Sequence, residues 1–316
     1  YARWVGIEPK ETLFVRTNVV YAGLVREQWP DIADDHILAE PIYRNTAPSL
    51  SWANHRIENM NPQACIIATP SDQIVVNEEA FRDNVLEGLQ FVENHDRLLT
   101  MGVKPSRPEP GYGYIQMGDP VEHDVYKVQS FTEKPEREFA KMFMESGEFY
   151  WNTGLFLANC RYLRECFTKF LPPVLRSFDA AEGLSGVEAE TRYMMENFPS
   201  YPNLSADEAI LERSENVYMM KCDFGWADLG TWHSIYEAMQ KNDGDNVIVD
   251  SEVMLDDARN NVIKLPNGKI AVINGLEGFI VAEEDNVLLI CKKEDSSALV
   301  RKFVNEIQMR KGEKYV

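Results

Sequence analysis

The residues best placed to do chemistry are carboxylates standing where an apolar run gives way to a turn. Asp72, in segment 70–73 (PSDQ), follows the apolar run ACIIAT. A carboxylate at the carboxyl end of a buried strand can hold Mg²⁺ against a phosphate, and it can equally cap the following turn. Asp228 is flanked by two glycines and two tryptophans in segment 223–232 (DFGWADLGTW), directly before a helical pattern. Taken alone it reads as well as a helix cap beside core tryptophans. Together Asp72 and Asp228 would supply the whole protein share of a magnesium site, because Mg²⁺ takes one or two carboxylates and completes its octahedron with phosphates and waters.

Other stretches carry polar groups of a different kind. In 131–135 (FTEKP), Glu133 could accept sugar hydroxyls while Lys134 meets a phosphate, or the two could form an ordinary surface ion pair. Asn152 in 151–154 (WNTG) sets an amide with both donor and acceptor groups beside an aromatic, which suits a sugar ring as well as a plain turn. Gly113 in 111–114 (GYGY) allows close approach of a ligand or serves as a hinge. Segment 40–48 (EPIYRNTAP) brings Glu40, Asn45 and Thr46 to a helix start, where free N–H groups favour an anion or a polar base edge; an ordinary capped helix reads the same. The five histidines share no motif spacing, and no Ser/His/Asp or Cys/His set points to a covalent nucleophile.

Composition narrows the partners. A formal charge of −19, from 51 acidic and 32 basic residues, opposes nucleic acid and anionic lipid, since contacts to phosphate backbones depend on Lys and Arg. A phosphorylated small molecule remains compatible where a metal ion or a few cations reverse the local field. The five cysteines form no zinc-like spacing and read as reduced, buried thiols of a cytoplasmic protein. No run approaches the roughly 20 apolar residues that span a bilayer, so no membrane association is expected.

These groups need a frame that brings them together. Short apolar runs alternate with helical patterns, the signature of a sheet with helices on both faces. Strands are expected over 12–17, 37–40, 64–69, 98–103, 125–133, 155–159 and 217–221. Helices are expected over 20–29, 45–60, 78–94, 136–146, 160–176, 188–197 and 231–241. The run 64–69 reads as the central strand, and 104–114, rich in Gly and Pro, as a flexible loop. After the polar tract 241–245 (KNDGD), short strands between Asn, Asp and Gly turns indicate a separate β unit, a short solenoid or a small sandwich. An amphipathic helix over 296–309, with Leu299, Val300, Phe303, Val304 and Ile307 on one face, closes the chain. The division is therefore 1–241 and 246–316.

In this order EPIYRNTAP, ATPSDQ, GYGYI, FTEKP, WNTGLF and DFGWADLGTW resemble the motif series of the bacterial mannose-1-phosphate guanylyltransferases, from about residue 10 to residue 240. The resemblance implies a Rossmann-like α/β nucleotidyltransferase domain with a mostly parallel sheet, followed by a small C-terminal β domain, a short left-handed β-helix. It implies that Asp72 and Asp228 carry Mg²⁺, that Glu133 and Asn152 hold the mannose hydroxyls and that Lys134 contacts the sugar phosphate. Gly113 would line the sugar pocket, and Glu40, Asn45 and Thr46 would lie near the guanine. The implied reaction makes GDP-mannose and pyrophosphate from GTP and mannose 1-phosphate.

Two features differ from that family. Its glycine-rich GGxGxR loop and proline-lysine pair are not found in these residues, so an N-terminal segment is expected to be absent and the chain alone to be weak as a catalyst. Gln73 stands where the family usually has His. A relative acting on another sugar 1-phosphate, and a non-catalytic sugar-nucleotide regulator, are the competing readings. The family resemblance and the apolar face of the last helix point to a homodimer.

Overall fold

The computed structural model describes residues 3–4, 7, 9–93, 95–181, 187–284, 286–294, 296–312 and 315. Asn94, the last residue of the helix expected over 78–94, lies outside them.

The chain begins with β1 (Val15–Asn18), a 3₁₀ turn leading into α1 (Ala22–Gln28), and β2 (Ile37–Glu40); β1 and β2 pair in parallel as a separate two-stranded sheet. Then come α2 (Thr46–Met60), β3 (Cys65–Ala68), β4 (Gln73–Val75), α3 (Glu78–Glu93) and β5 (Leu98–Val103). The hairpin β6 (Gly113–Glu122) and β7 (Val125–Thr132), α4 (Arg137–Ser146) and the long β8 (Phe149–Asn159) follow. Helices α5 (Cys160–Phe170), α6 (Pro172–Ala181) and α7 (Val187–Asn197), a π-helical turn at Asp207–Leu211, β9 (Val217–Cys222), β10 (Trp226–Asp228) and α8 (Trp232–Ala238) complete this part.

Six strands form one sheet in the order β3-β8-β5-β9-β7-β6, and its two faces carry separate cores. Along β8, Leu155 and Leu157 join Phe81, Val85, Met101 and Met220 on the side of α3. Phe156 and Ala158 join Trp52, Phe167 and Phe178 on the side of α2, α5 and α6. That alternation is the two-residue period of a strand buried on both faces.

Two expectations are corrected here. The sheet is mixed rather than mostly parallel: among the described strands only β5 and β9 pair in parallel in it, while β3–β8, β8–β5, β9–β7, β7–β6 and β6–β8 are antiparallel. The reason is that the β6–β7 hairpin reverses the chain and α4 leads into β8 in that same direction, so β7 and β8 run against β3, β5, β9 and β6. The run at 64–69 is not central either. Among the described strands β3 lies at the sheet edge and pairs with β8 alone. An unbroken apolar run reports helices above and below, here Ile66 toward α2 and Cys65 and Ile67 toward α3, and says nothing about neighbours in the plane.

The remainder is built of β11 (Val247–Val249), β12 (Glu252–Asp256), β13 (Val262–Lys264), β14 (Ile270–Asn274), β15 (Phe279–Glu284), β16 (Val287–Lys292) and α9 (Ser296–Lys311). Strands β11, β13 and β15 stack in parallel, as do β12 and β14, and Val247, Val262 and Ile280 line up in one small core. Buried Asn246 and Asn261 repeat at the turn of successive rungs, the Asn261 amide donating to Asn246 Oδ1 at 2.9 Å. Only the first part of the apolar face of α9 is covered, through Val300; Phe303 and Val304 are exposed.

Candidate active site

Antiparallel pairing of β4 with β10 sets Asp228 opposite Gln73, so Asp72 and Asp228, distant in sequence, become neighbours at two adjoining strand ends. The Leu229 N–H donates to the Asp72 carbonyl at 3.0 Å and fixes the two backbones. Both short strands went unread in the sequence, because three residues carry no periodicity. Burial pushes the Asp228 carboxyl up, and the Asp72 charge adds to it; the Gly230 N–H, 2.7 Å from Asp228 Oδ1, and Lys134 work the other way. Asp228 is not the cap of α8, which is Thr231, whose hydroxyl accepts from Ser234 N. Of the two tryptophans, Trp226 is core and packs edge-on against Tyr112 at 5.1 Å, while Trp232 is partly buried against Tyr236 and Val247.

Two carboxylates, one of them raised by burial and by its neighbour's charge, suit a hard divalent cation, which would offset both causes. Among the described residues no cluster of three or more His, Cys, Asp or Glu side chains with metal-binding geometry occurs. Any cation here would therefore need phosphate or water to complete its shell.

The adjoining wall comes from the main sheet. Gly113 on β6 is the direct partner of Asn152 on β8. A Cβ at Gly113 would stand 2.6 Å from Glu133 Oε2 and 3.4 Å from Asn152 Cβ, so the glycine is what lets the carboxylate and the amide face one space. Strand β7 stops at Thr132, and Lys134 takes a left-handed φ of 45°. That turn brings consecutive side chains to one side, and Lys134 Nζ reaches Glu133 Oε1 at 2.8 Å. In a continuing strand they would have pointed apart. Both groups are about half-exposed, so the ion pair is cheaply exchanged for a ligand.

Glu40, Asn45 and Thr46 sit around the start of α2. Asn45, with φ 62°, caps the helix through its side chain on Thr46 N at 2.9 Å. The Thr46 hydroxyl accepts from Ala206 N at 2.8 Å, and Ala47 N donates to the Leu204 carbonyl, tying α2 to the segment before the π turn. Glu40 is 3% exposed, and burial pushes its carboxyl up against the pull of Arg16, 3.7 Å away. Its Oε1, the atom that faces Arg16, is buried and makes no hydrogen bond.

Several residues at the site were not foreseen. Asp207, at the start of the π turn, accepts from Asn152 Nδ2 at 2.8 Å; burial and the Glu133 charge push its carboxyl up, while the Asn152 bond and Lys134 lower it. The stretch 104–112 is not free as expected. Glu109 is buried and accepts from Gly111 N at 2.9 Å and Ser297 Oγ at 3.1 Å, its own N–H donates to Tyr114 Oη, and the Tyr112 hydroxyl donates to the Asp228 carbonyl at 3.3 Å. Lone Asp, Glu and Tyr residues in irregular segments carry no pattern that could have marked them. Gln73 turns its amide to the Thr153 carbonyl. A cleft of about 580 Å³ lies behind the 107–110 stretch, bordered by Tyr236, Lys293 and Ser297, and none of the residues singled out in the sequence lines it. The thiols take no part: burial pushes Cys160 to about 12 and Cys166 to about 11, so neither forms thiolate at neutral pH.

A family model described as nucleotidyl transferase matches residues 8–244. The chain is 28% identical over 327 residues to mannose-1-phosphate guanylyltransferase 2 of Escherichia coli O157:H7, covering 99% of this chain and 67% of that protein. It is 31% identical over 317 residues to a mannose-1-phosphate guanylyltransferase of Salmonella typhimurium, covering 96% and 64%. Against the first such relatives the chain spans between 59% and 67% of their length. In fold it is similar to a structure from Thermus thermophilus titled as a mannose-1-phosphate geranyltransferase, with a TM-score of 0.79 at 24% identity over 97% of this chain and 87% of the other. Among the described residues no helix is long and apolar enough to cross a membrane.

Proposed function

We propose, for a chain that belongs to the nucleotidyl transferase family, that it catalyses guanylyl transfer from GTP to mannose 1-phosphate, releasing pyrophosphate and forming GDP-mannose. The observation that carries this reading is the meeting of Asp72 and Asp228 across the β4–β10 ladder, beside Lys134 and Glu133. A phosphate oxygen of the sugar attacks the α-phosphorus of GTP; the new P–O bond forms as the bond to the β-phosphate bridge breaks. No protein nucleophile is needed, so the protein's task is alignment and charge neutralisation.

Asp72 and Asp228 would hold Mg²⁺, which when bound neutralises phosphate charge. Lys134 leaves Glu133 to meet the sugar phosphate, and Glu133 is then free to accept sugar hydroxyls beside Asn152. Gly113 keeps the space between them open. Glu40 would offer Oε1, which makes no hydrogen bond and faces Arg16, to the donor edge of guanine, while Asn45 and Thr46 hold the start of α2 in place around it. We read 1–241 as the transferase unit and the parallel stacks of 246–316 as a short left-handed β-helix. The protein would act in the cytoplasm as a homodimer.

The test is a Mg²⁺ titration of GDP-mannose binding by calorimetry, in wild-type protein and in Asp72→Asn and Asp228→Asn. Each substitution should abolish the metal dependence; unaltered coupling in both would show the aspartates to be structural. Pyrophosphate release with a panel of nucleotides and sugar phosphates tests the substrate pair, and turnover confined to another pair would eliminate GTP and mannose 1-phosphate.

A further inference from the structure

The Asn152 amide has its orientation dictated by its surroundings. Its Oδ1 accepts from Gly154 N at 3.1 Å and shares the Thr100 hydroxyl hydrogen, with Oγ1 at 3.2 Å, with the Leu155 carbonyl at 3.3 Å. Its Nδ2 donates one hydrogen to Asp207 Oδ1 at 2.8 Å. The second N–H hydrogen is left over, and Nδ2 lies 3.8 Å from where a Cβ of Gly113 would stand, so it borders the space that glycine keeps open. From the sequence this amide could donate or accept; in the structure only a donor remains for a ligand.

Asp207 is itself held from two sides. Ser205 and Glu208 close a capping box, with Glu208 N donating to Ser205 Oγ at 3.0 Å and Ser205 N to Glu208 Oε2 at 3.1 Å. The Ala206 N–H is bound to Thr46 Oγ1 at the start of α2. The π turn that begins at Asp207 is a form that proteins retain mostly at functional positions. Glu133, Lys134 and Glu212 are the charged groups that sense this carboxyl.

We propose that Asp207 is a positioning residue that locks the Asn152 amide as a hydrogen-bond donor to one hydroxyl of the sugar, so that sugar selectivity is set in part by a residue that does not touch the ligand. The proposal rests on the guanylyltransferase reading of this wall. Without Asp207 the amide keeps Thr100 and Gly154 but loses the bond that fixes its nitrogen edge, and a hydrogen bond to a charged group is worth about 10- to 100-fold in affinity.

The experiment uses protein made from its complete coding sequence and measures kcat and both KM values for wild type, Asp207→Ala and Asp207→Asn, with mannose 1-phosphate and its singly deoxygenated analogues. In Asp207→Ala the KM for mannose 1-phosphate should rise about tenfold with the KM for GTP unmoved. Asp207→Asn, whose amide oxygen can accept the same hydrogen, should recover most of that loss. One deoxy analogue that wild type discriminates against should cease to be distinguished by Asp207→Ala. The inference is overturned if wild type turns over mannose 1-phosphate and Asp207→Ala leaves its KM unchanged, raises both KM values alike, or is not rescued by Asn. Wild-type protein that neither binds nor turns over mannose 1-phosphate overturns the functional reading itself, and the inference with it.

Discussion

The Gly113–Asn152 wall and the Glu40 corner present the same kinds of atoms, carboxylates and amides, yet they are held in opposite ways. On the wall, Asn152 makes three hydrogen bonds, to Thr100, Gly154 and Asp207, and Glu133 is paired with Lys134. At the corner, a nearly fully buried Glu40 has an oxygen, Oε1, that makes no hydrogen bond and faces Arg16 at 3.7 Å. The wall is preorganised and its groups are exchangeable; the corner is desolvated and incomplete. A satisfied wall can read the orientation of a ligand's hydroxyls, whereas a buried orphan acceptor rejects any ligand that lacks the matching donor.

The contrast between wall and corner is broken most forcefully at Gly113. In Gly113→Ala the new Cβ would displace the Glu133 carboxylate, a flexible group that gives way at little cost in stability. The KM for mannose 1-phosphate should then rise about 100-fold while thermal stability barely moves, since a misplacement of about 1 Å can cost that much. Steady-state kinetics with a melting curve on the same sample decide it; an intact KM would mean that the wall does not face the sugar.

At the corner, Glu40→Gln removes the buried charge but keeps the shape. It should leave the melting temperature equal or higher and raise the KM for GTP about tenfold, with mannose 1-phosphate unaffected. If both substrates weaken together, the two regions are not separable in this way.

Backbone strain provides a smaller lever. Lys134 holds φ at 45°, a conformation costing on the order of 1 kcal/mol for a residue with a Cβ. Lys134→Gly should therefore unfold at higher denaturant by about that amount while losing affinity for the sugar phosphate. Loss of stability instead would show that the Lys134 contact to Glu133 outweighs the strain.

The smallest effect concerns pH. Asp207, Asp228 and Glu40 all have carboxyls pushed up in the fold, so folding favours their protonated forms. Their contribution to stability is full below the ordinary carboxylate values of 3.8 and 4.5 and is lost as pH rises through the raised ones. Asp207→Asn, which cannot ionise, should be more stable than wild type at neutral pH and lose that advantage near pH 4, as read by urea denaturation across the range. An advantage that persists in acid would sever the link to ionisation.

Much of the frame was legible because it depends on local pattern. The expected strand 37–40 and strand 98–103 coincide with β2 and β5, Asn45 caps α2, and the helices at 78, 136 and 231 start within a residue of their expected places. Periodicity and capping act over a few residues, so sequence carries them. Strand order did not follow from the same signals: β3 is apolar for reasons of burial and lies at the sheet edge, and β6, β4 and β10 were missed because a Gly-rich start and three-residue lengths leave no pattern.

What the residues determined by themselves was the chemical inventory: two aspartates at turn positions, the Glu133–Lys134 pair, a glycine with no Cβ to obstruct them, and Asn152. What only the tertiary structure decided was their arrangement. The β4–β10 ladder joins Asp72 to Asp228, Asp207 reaches Asn152 across 55 positions, and Thr46 is tied to Ala206. Hydrogen bonds and Coulomb forces depend on distance in space, and sequence separation carries no information about that until the sheet has brought the strands together.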